Sequence, residues 1–407
     1  MKQQLPGDIT IKTASLFVHQ GIVNVVELIR MMSIFESILT PGIIAEITID
    51  DTRNLLSNLP ILGGERITIE ISSPSKDTRT FELVVASVKE SIPSSNMRSK
   101  NYTLQCVTPE VLTAKSCQIT KSYNTNISNM VEDVCKTYLQ TDKKLDIQKT
   151  KGVQKIIIAS KPPLEAIKRM RKQSISVDDK SSMFVFFENI DGIHYKTIES
   201  LFSGDISDRT FTNNPTMHTD MTQSNFRNII DYKQDQQFDL TKRLHNGGLA
   251  HEIKSFDFKT LSYKSAITKF APAILKAADG VMNNPDNDQT IKRWGSNAGS
   301  NSWVMKDSGN PDTFISDGLG TRQNTISLMG QGFLHLHVLG DSGLSAGQMI
   351  KVDLLDTTST DSAPSLHPQL SGKYLVAFIR HIIMPEGSSP RYTCSIEALK
   401  GGYKQNV

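Results

Sequence analysis

The chain has 407 residues, 38% hydrophobic and 21% charged, which points to a globular protein of about two or three domains with a modest core. Lys and Arg number 45 against 42 Asp and Glu, a net charge of +3 that is too small for a nucleic-acid polycation. No apolar run approaches the ~20 residues needed to span a bilayer. The N-terminus has no basic stretch leading into an apolar one, so neither membrane insertion nor a signal peptide is expected.

Residues 1–115 read mostly as strands. The stretches 43–49 (Ile-Ile-Ala-Glu-Ile-Thr-Ile) and 66–71 (Arg-Ile-Thr-Ile-Glu-Ile) alternate apolar and polar positions, the second after the turn signal Gly63, Gly64. A polar loop at 72–76 leads into 81–88, and after another at 91–100 the chain returns along 102–107. Short strands parted by Gly, Pro and Ser loops predict an antiparallel barrel or sandwich.

The pattern changes near residue 116. Asn129 and Glu132 have the spacing of a helix N-cap with its acid, and Met130, Val131, Val134, Cys135, Tyr138 and Leu139 follow at helical intervals. A second helix is expected from Pro163, where a missing N–H costs nothing. Then comes a hairpin, 183–187 and 193–198, with Asp191 and Gly192 suited to the positive-φ positions of a type I′ turn. These elements predict an α/β module over 116–210.

Strand character resumes after Thr210. Residues 249–258 read as a strand after the breaker Asn246, Gly247, Gly248, and 271–278 as a short helix. The stretch 280–317, rich in Asn, Asp, Gly and Ser, reads as a long surface loop or a partly ordered insertion. Residues 321–329 read as a helix, and four strands follow at 333–339, 347–355, 375–381 and 391–399. The fold class expected is mainly β with an α+β insertion. Its domains are a first antiparallel barrel (1–115), an α/β module (116–210), a second barrel (211–265 and 320–407) and a loop-rich insertion (266–319).

No motif assembles a catalytic or metal centre. Gly340, Asp341, Ser342 and Gly343 resemble the nucleophile segment of chymotrypsin-like proteases, but Leu344 replaces the next Gly and no upstream His has the right setting. The same residue types are ordinary turn formers. His251 and Glu252 begin an H-E-x-x-H motif that Ser255 breaks. His335 and His337 share a strand face without the further ligands zinc requires. Asp286 and Asp288 start like a calcium loop, but Thr290, Ile291 and Asn297 spoil it. Cys106, Cys117, Cys135 and Cys394 form no C-x-x-C pair, and buried free thiols in a reducing compartment are the simpler reading. No cofactor is expected. Gly340, Asp341, Gly347 and Gly372 are expected to shape turns of the second barrel and to do no chemistry.

Several segments, in order, resemble a known family. They are 33–38 (Ser-Ile-Phe-Glu-Ser-Ile) with 46–51 (Glu-Ile-Thr-Ile-Asp-Asp), 59–65 (Leu-Pro-Ile-Leu-Gly-Gly-Glu), and 184–188 (Phe-Val-Phe-Phe-Glu) with Asp191 and Gly192. The strand pair around Gly340 and Gly347, and 371–376 (Ser-Gly-Lys-Tyr-Leu-Val) with His381, complete the set. Together they resemble the baseplate central hub proteins of contractile-tailed bacteriophages, and the N-terminal half of type VI secretion spike proteins looks similar. The resemblance implies a non-enzymatic virion protein with two tube-type barrels per chain, assembled as a homotrimer. It further implies a tail tube ring above, a separate spike trimer below, other baseplate partners, and DNA passing through the lumen. Assembly in the host bacterial cytoplasm follows from the same resemblance. Two other readings stand beside it. One is an adhesive, carbohydrate-binding virion protein, kept open by Trp294 and Trp303. The other is a hydrolase using Ser342.

Overall fold

Period-two alternation builds the first block. In the computed structural model its strands are β1 (Thr10–Val18), β2 (Gly21–Asn24), β3 (Ile29–Ser37), β4 (Ile44–Asp51), β5 (Arg66–Ser72), β6 (Thr78–Pro93) and β7 (Lys100–Val107). One face of each turns inward: Ala45, Ile47 and Ile49 on β4, Ile67, Ile69 and Ile71 on β5, Tyr102, Leu104 and Cys106 on β7. The structure describes residues 7–19, 21–58, 61–73, 78–93, 100–178, 181–213, 227–234, 240–246, 250–269, 300–306, 315–329, 333–355, 366–367, 370–385 and 391–400.

The middle block is the expected α/β module. β8 (Ile119–Thr125) pairs with β10 (Gln154–Lys161), and β11 (Phe184–Asn189) with β12 (Gly192–Thr197), which also takes β9 (Leu145–Ile147) in parallel. Helices Ile127–Asp133 and Pro163–Arg171 pack on these sheets over a separate core that includes Met130, Val134, Ile167, Phe184 and Tyr195. Pro163 opens its helix as expected. The first helix, however, is preceded by Asn126 in extended conformation and not by Asn129. Asn129 lies in the first turn, its Nδ2 donating to Thr125 Oγ1 at 3.4 Å. The hairpin is also not type I′. Asn189 pairs with Gly192, so Ile190 and Asp191 form the loop, and neither has a positive φ. Gly192, at φ +133°, is needed for another reason: a Cβ there would stand 2.2 Å from the Lys144 carbonyl.

The last block contributes β13 (Ile206–Thr212), β14 (Ile229–Gln234), β18 (Phe333–Leu339), β19 (Met349–Asp353), β20 (Gly372–Ile383) and β21 (Tyr392–Leu399). They do not stand apart from the first block. β20 pairs antiparallel with β3 from Phe378↔Ser37 to Ile383↔Met32. A single 13-stranded sheet therefore runs β14-β18-β21-β20-β3-β4-β7-β6-β5-β1-β2, with β19 beside β20 and β13 parallel to β19. One hydrophobic core spans both blocks, from Leu16 and Ile34 to Ile379 and Ile396.

Two expectations need correction. The 249–258 strand exists as β15 (Ala250–Asp257), but it does not join the main sheet. It pairs with β16 (Ser262–Lys269) and, in parallel, with β17 (Ser300–Lys306), forming a separate three-stranded sheet. β17 falls inside the stretch read as loop. Its alternation of exposed Trp303 and Met305 with half-buried Ser302 and Val304 was hidden by the polar residues around it. The helix expected at 321–329 runs Ile315–Met329 and packs on β15 and β16. The helix expected at 271–278, the calcium-like Asp286 and Asp288, and Trp294 lie outside the described residues.

Candidate functional site: a buried ionic seam

The β3–β20 junction carries a polar cluster inside the core. Glu36 comes from β3, Arg79 from β6, His381 from β20, and Tyr392 and Cys394 from β21. The loop between β18 and β19 closes over them. Arg79 is 1% exposed and Glu36 fully buried. The Arg79 Nη2 donates to Glu36 Oε1 and, at 3.2 Å, to Ser345 Oγ. Its Nη1 donates to the carbonyls of Leu344 at 2.9 Å and Ser342 at 3.4 Å, and meets His381 Nε2 at 3.0 Å. The other Glu36 oxygen accepts the Ala346 N–H at 3.1 Å.

These contacts fix the state of the histidine. A guanidinium has only donors, so His381 Nε2 must offer its lone pair, and the proton sits on Nδ1. That nitrogen lies 2.8 Å from Tyr392 Oη and 3.3 Å from Cys394 Sγ. Burial and the Arg79 charge both push the His381 pKa well down, so the ring stays neutral. Burial pushes the Cys394 thiol up to about 12, leaving no thiolate at neutral pH. For Glu36, burial raises the pKa against the opposing pull of Arg79 and the Ala346 N–H. The cluster is inaccessible and holds no activated nucleophile. What it does is tie β3, β6, β20 and the 340–348 loop together.

The turn residues border this seam. Gly340 donates its N–H to the Tyr392 carbonyl, and a Cβ there would fall 2.0 Å from the Tyr392 ring. Asp341 accepts the Gly343 N–H at 2.9 Å and pairs with Arg209 at 2.8 Å. Gly347 has φ +87°, with Phe187 within 2.7 Å of a built Cβ. Gly372 opens β20 at φ +139°, its nearest neighbour being Lys400 at 3.5 Å. Ser342 is not a solvated turn group. It is 1% exposed, its hydroxyl 2.8 Å from that of Ser73.

The other candidates do not converge. His335 faces Glu397 at 3.9 Å, and His251 Nε2 meets Ser302 Oγ at 3.0 Å. No group of three metal-ligating residues forms among the described residues. No helix among them is long and apolar enough to cross a membrane. Sequence reading missed Arg79 and the pairing role of Glu36. The one available signal was an acid in the otherwise apolar run 34–36 (Ile-Phe-Glu).

No family model matches the sequence, and no curated protein matches it significantly. Solved structures do. The 43 kDa tail protein of prophage MuSo2 from Shewanella oneidensis is 13% identical with a TM-score of 0.58, over 96% of this chain and 98% of that one. A tail protein from Neisseria meningitidis MC58 is 10% identical with a TM-score of 0.54, over 95% and 96%. The chain thus resembles these tail proteins in fold along nearly its whole length, as the short segments in its sequence led us to expect.

Proposed function

We propose that this chain is a structural protein of a contractile phage tail, the central hub of its baseplate. One observation carries the reading: the likeness to a prophage tail protein runs end to end in both chains. Open, twisted sheets of more than ~10 strands curl or divide. The 13-stranded sheet fits two barrels joined at β3–β20, one from 1–115 and the other from strands of 206–234 and 333–400. In a homotrimer the six barrels would match a hexameric tail tube ring above, and the three-fold axis a spike trimer below, leaving a lumen for the genome. Gly340, Asp341, Gly347 and Gly372 shape turns in that scaffold and do no chemistry. The protein acts in the virion, assembled in the host bacterial cytoplasm beside other baseplate proteins. Native mass measurement and particle class averages test the reading. A trimeric ring with a central hole is expected, and a monomer that stays monomeric with tube and spike proteins present overturns it.

A specific observation favours the second reading, adhesion. Trp303 and Tyr263 are 59% and 54% exposed with ring centroids 5.9 Å apart, and Lys254 lies over the Trp303 ring. Binding to immobilised bacterial surface glycans, lost in Trp303→Ala, supports adhesion; no binding removes it.

A further inference from the structure

β6 is longer than its neighbours. Its pairing with β5 runs from Thr78 to Val84, and its pairing with β7 begins only at Val84. Positions 78–83 therefore have a strand on one side only among the described residues. Val85 exchanges main-chain hydrogen bonds with Gly64 and Glu65 on the β5 side. By strict alternation, Leu83 and Phe81 also face β5, while the N–H and C=O groups of Glu82 and Thr80 point to the open side.

That side is a groove. The opposite wall is the β11–β12 turn with Lys143 and Lys144; the cavity beside the edge, about 350 Å³, continues past Glu82, Leu83 and Lys143 into a second one of about 600 Å³ over the outer face of β5 and β1. Its charge is unbalanced. The carboxylates of Glu82, Glu110, Asp142, Glu188 and Asp191 line it against only Lys143, Lys144 and Arg66. Lys143 is already shared, donating to Glu110 at 2.7 Å and Glu188 at 2.6 Å. Glu188 is 2% exposed, and besides Lys143 its carboxylate faces the Thr108 hydroxyl.

We propose that this groove receives an extended segment of a partner protein, rich in lysine or arginine, which adds to β6 as a strand at Thr80–Glu82. The free main-chain groups supply the ladder. The acid excess selects basic side chains, and the volume suits a few extended residues. Strand edges left open invite such pairing. Exposed Ile190 at the rim adds apolar contact. This inference concerns the outward groups of the strand whose Arg79 faces the seam, and it does not depend on the trimer.

The test uses the full chain and a fluorescent heptapeptide alternating lysine with valine, beside one with glutamate in place of lysine. The lysine peptide should bind, and hydrogen exchange should slow at 78–83. The glutamate peptide should bind at least tenfold more weakly. Glu82→Pro removes an outward N–H without breaking a β5 bond, and should cut affinity at least tenfold. Asp191→Lys, on a loop, should cut it several-fold if Glu82→Pro does not fold. Burial and Glu110 raise the Glu188 pKa to about 7, so affinity for the lysine peptide should rise with pH through that value. No binding of the lysine peptide, equal binding of both, or slowed exchange only elsewhere overturns the proposal. So does a loss of self-association in Glu82→Pro, which would assign the edge to a second copy of this chain.

Discussion

Arg79 and Glu36, 43 residues apart in sequence, form an ion pair in the interior, neither more than 1% exposed. They sit on β6 and β3, with β4 and β7 between them in the sheet. The contact therefore crosses the concave face of a curled sheet and does not follow its surface. The 340–348 loop fills the remaining space, giving three carbonyl or hydroxyl acceptors to the same guanidinium.

Removing one partner leaves the other buried and unpaired. Arg79→Met should destabilise by about 3–5 kcal/mol, because the Glu36 carboxylate then has only the Ala346 N–H. Arg79→Met with Glu36→Leu should recover much of that loss. Denaturant unfolding of the two singles and the double gives the coupling directly, and simple additivity would refute the pairing.

His381 should remain neutral with its proton on Nδ1 while the chain is folded. An unfolded histidine takes up a proton below about pH 6.5, whereas this one resists it. Its contribution to stability is therefore present above that value and lost as pH falls. Nitrogen chemical shifts of the ring should not titrate between pH 8 and 5.5.

Glu188 has the opposite sign. Its pKa is raised from an ordinary 4.5 to about 7 by burial and by Glu110, so between those values the folded chain binds the extra proton. Stability from this group falls as pH rises from about 4.5 to 7. Glu188→Gln should flatten that part of the stability profile, measured by melting at constant ionic strength.

The glycines should rank by what a side chain meets. Gly340→Ala drives a methyl into the Tyr392 ring, and Gly347→Val combines a positive φ with Phe187; each should cost about 1–3 kcal/mol. Gly372→Ala meets only the end of the Lys400 side chain, at ordinary contact distance, and pays mainly for its φ, about 1 kcal/mol. Thermal melts of the three variants check the order.

Ser342→Ala removes the 2.8 Å hydrogen bond to the buried Ser73 hydroxyl and should cost about 0.5–1.5 kcal/mol. Ser342→Ala with Ser73→Ala should cost less than the two singles together. A stable Ser342→Ala protein that had lost a measurable hydrolase activity would restore the catalytic reading.

Alternation along 43–49 and 66–71 was enough to predict strands there, since a half-buried strand must repeat every two residues. The helix at Pro163 and the 183–198 hairpin were legible for similarly local reasons. Three things were not. The parallel pairing of β15 with β17 joins segments 43 or more residues apart, and period-two patterning says nothing about which strand lies alongside. The β3–β20 pairing that makes one sheet of two blocks depends on the same long-range choice. The seam itself was hidden because an isolated Arg or Glu in sequence looks like a surface residue; only tertiary packing, by excluding water from Arg79 and Glu36 together, makes them partners.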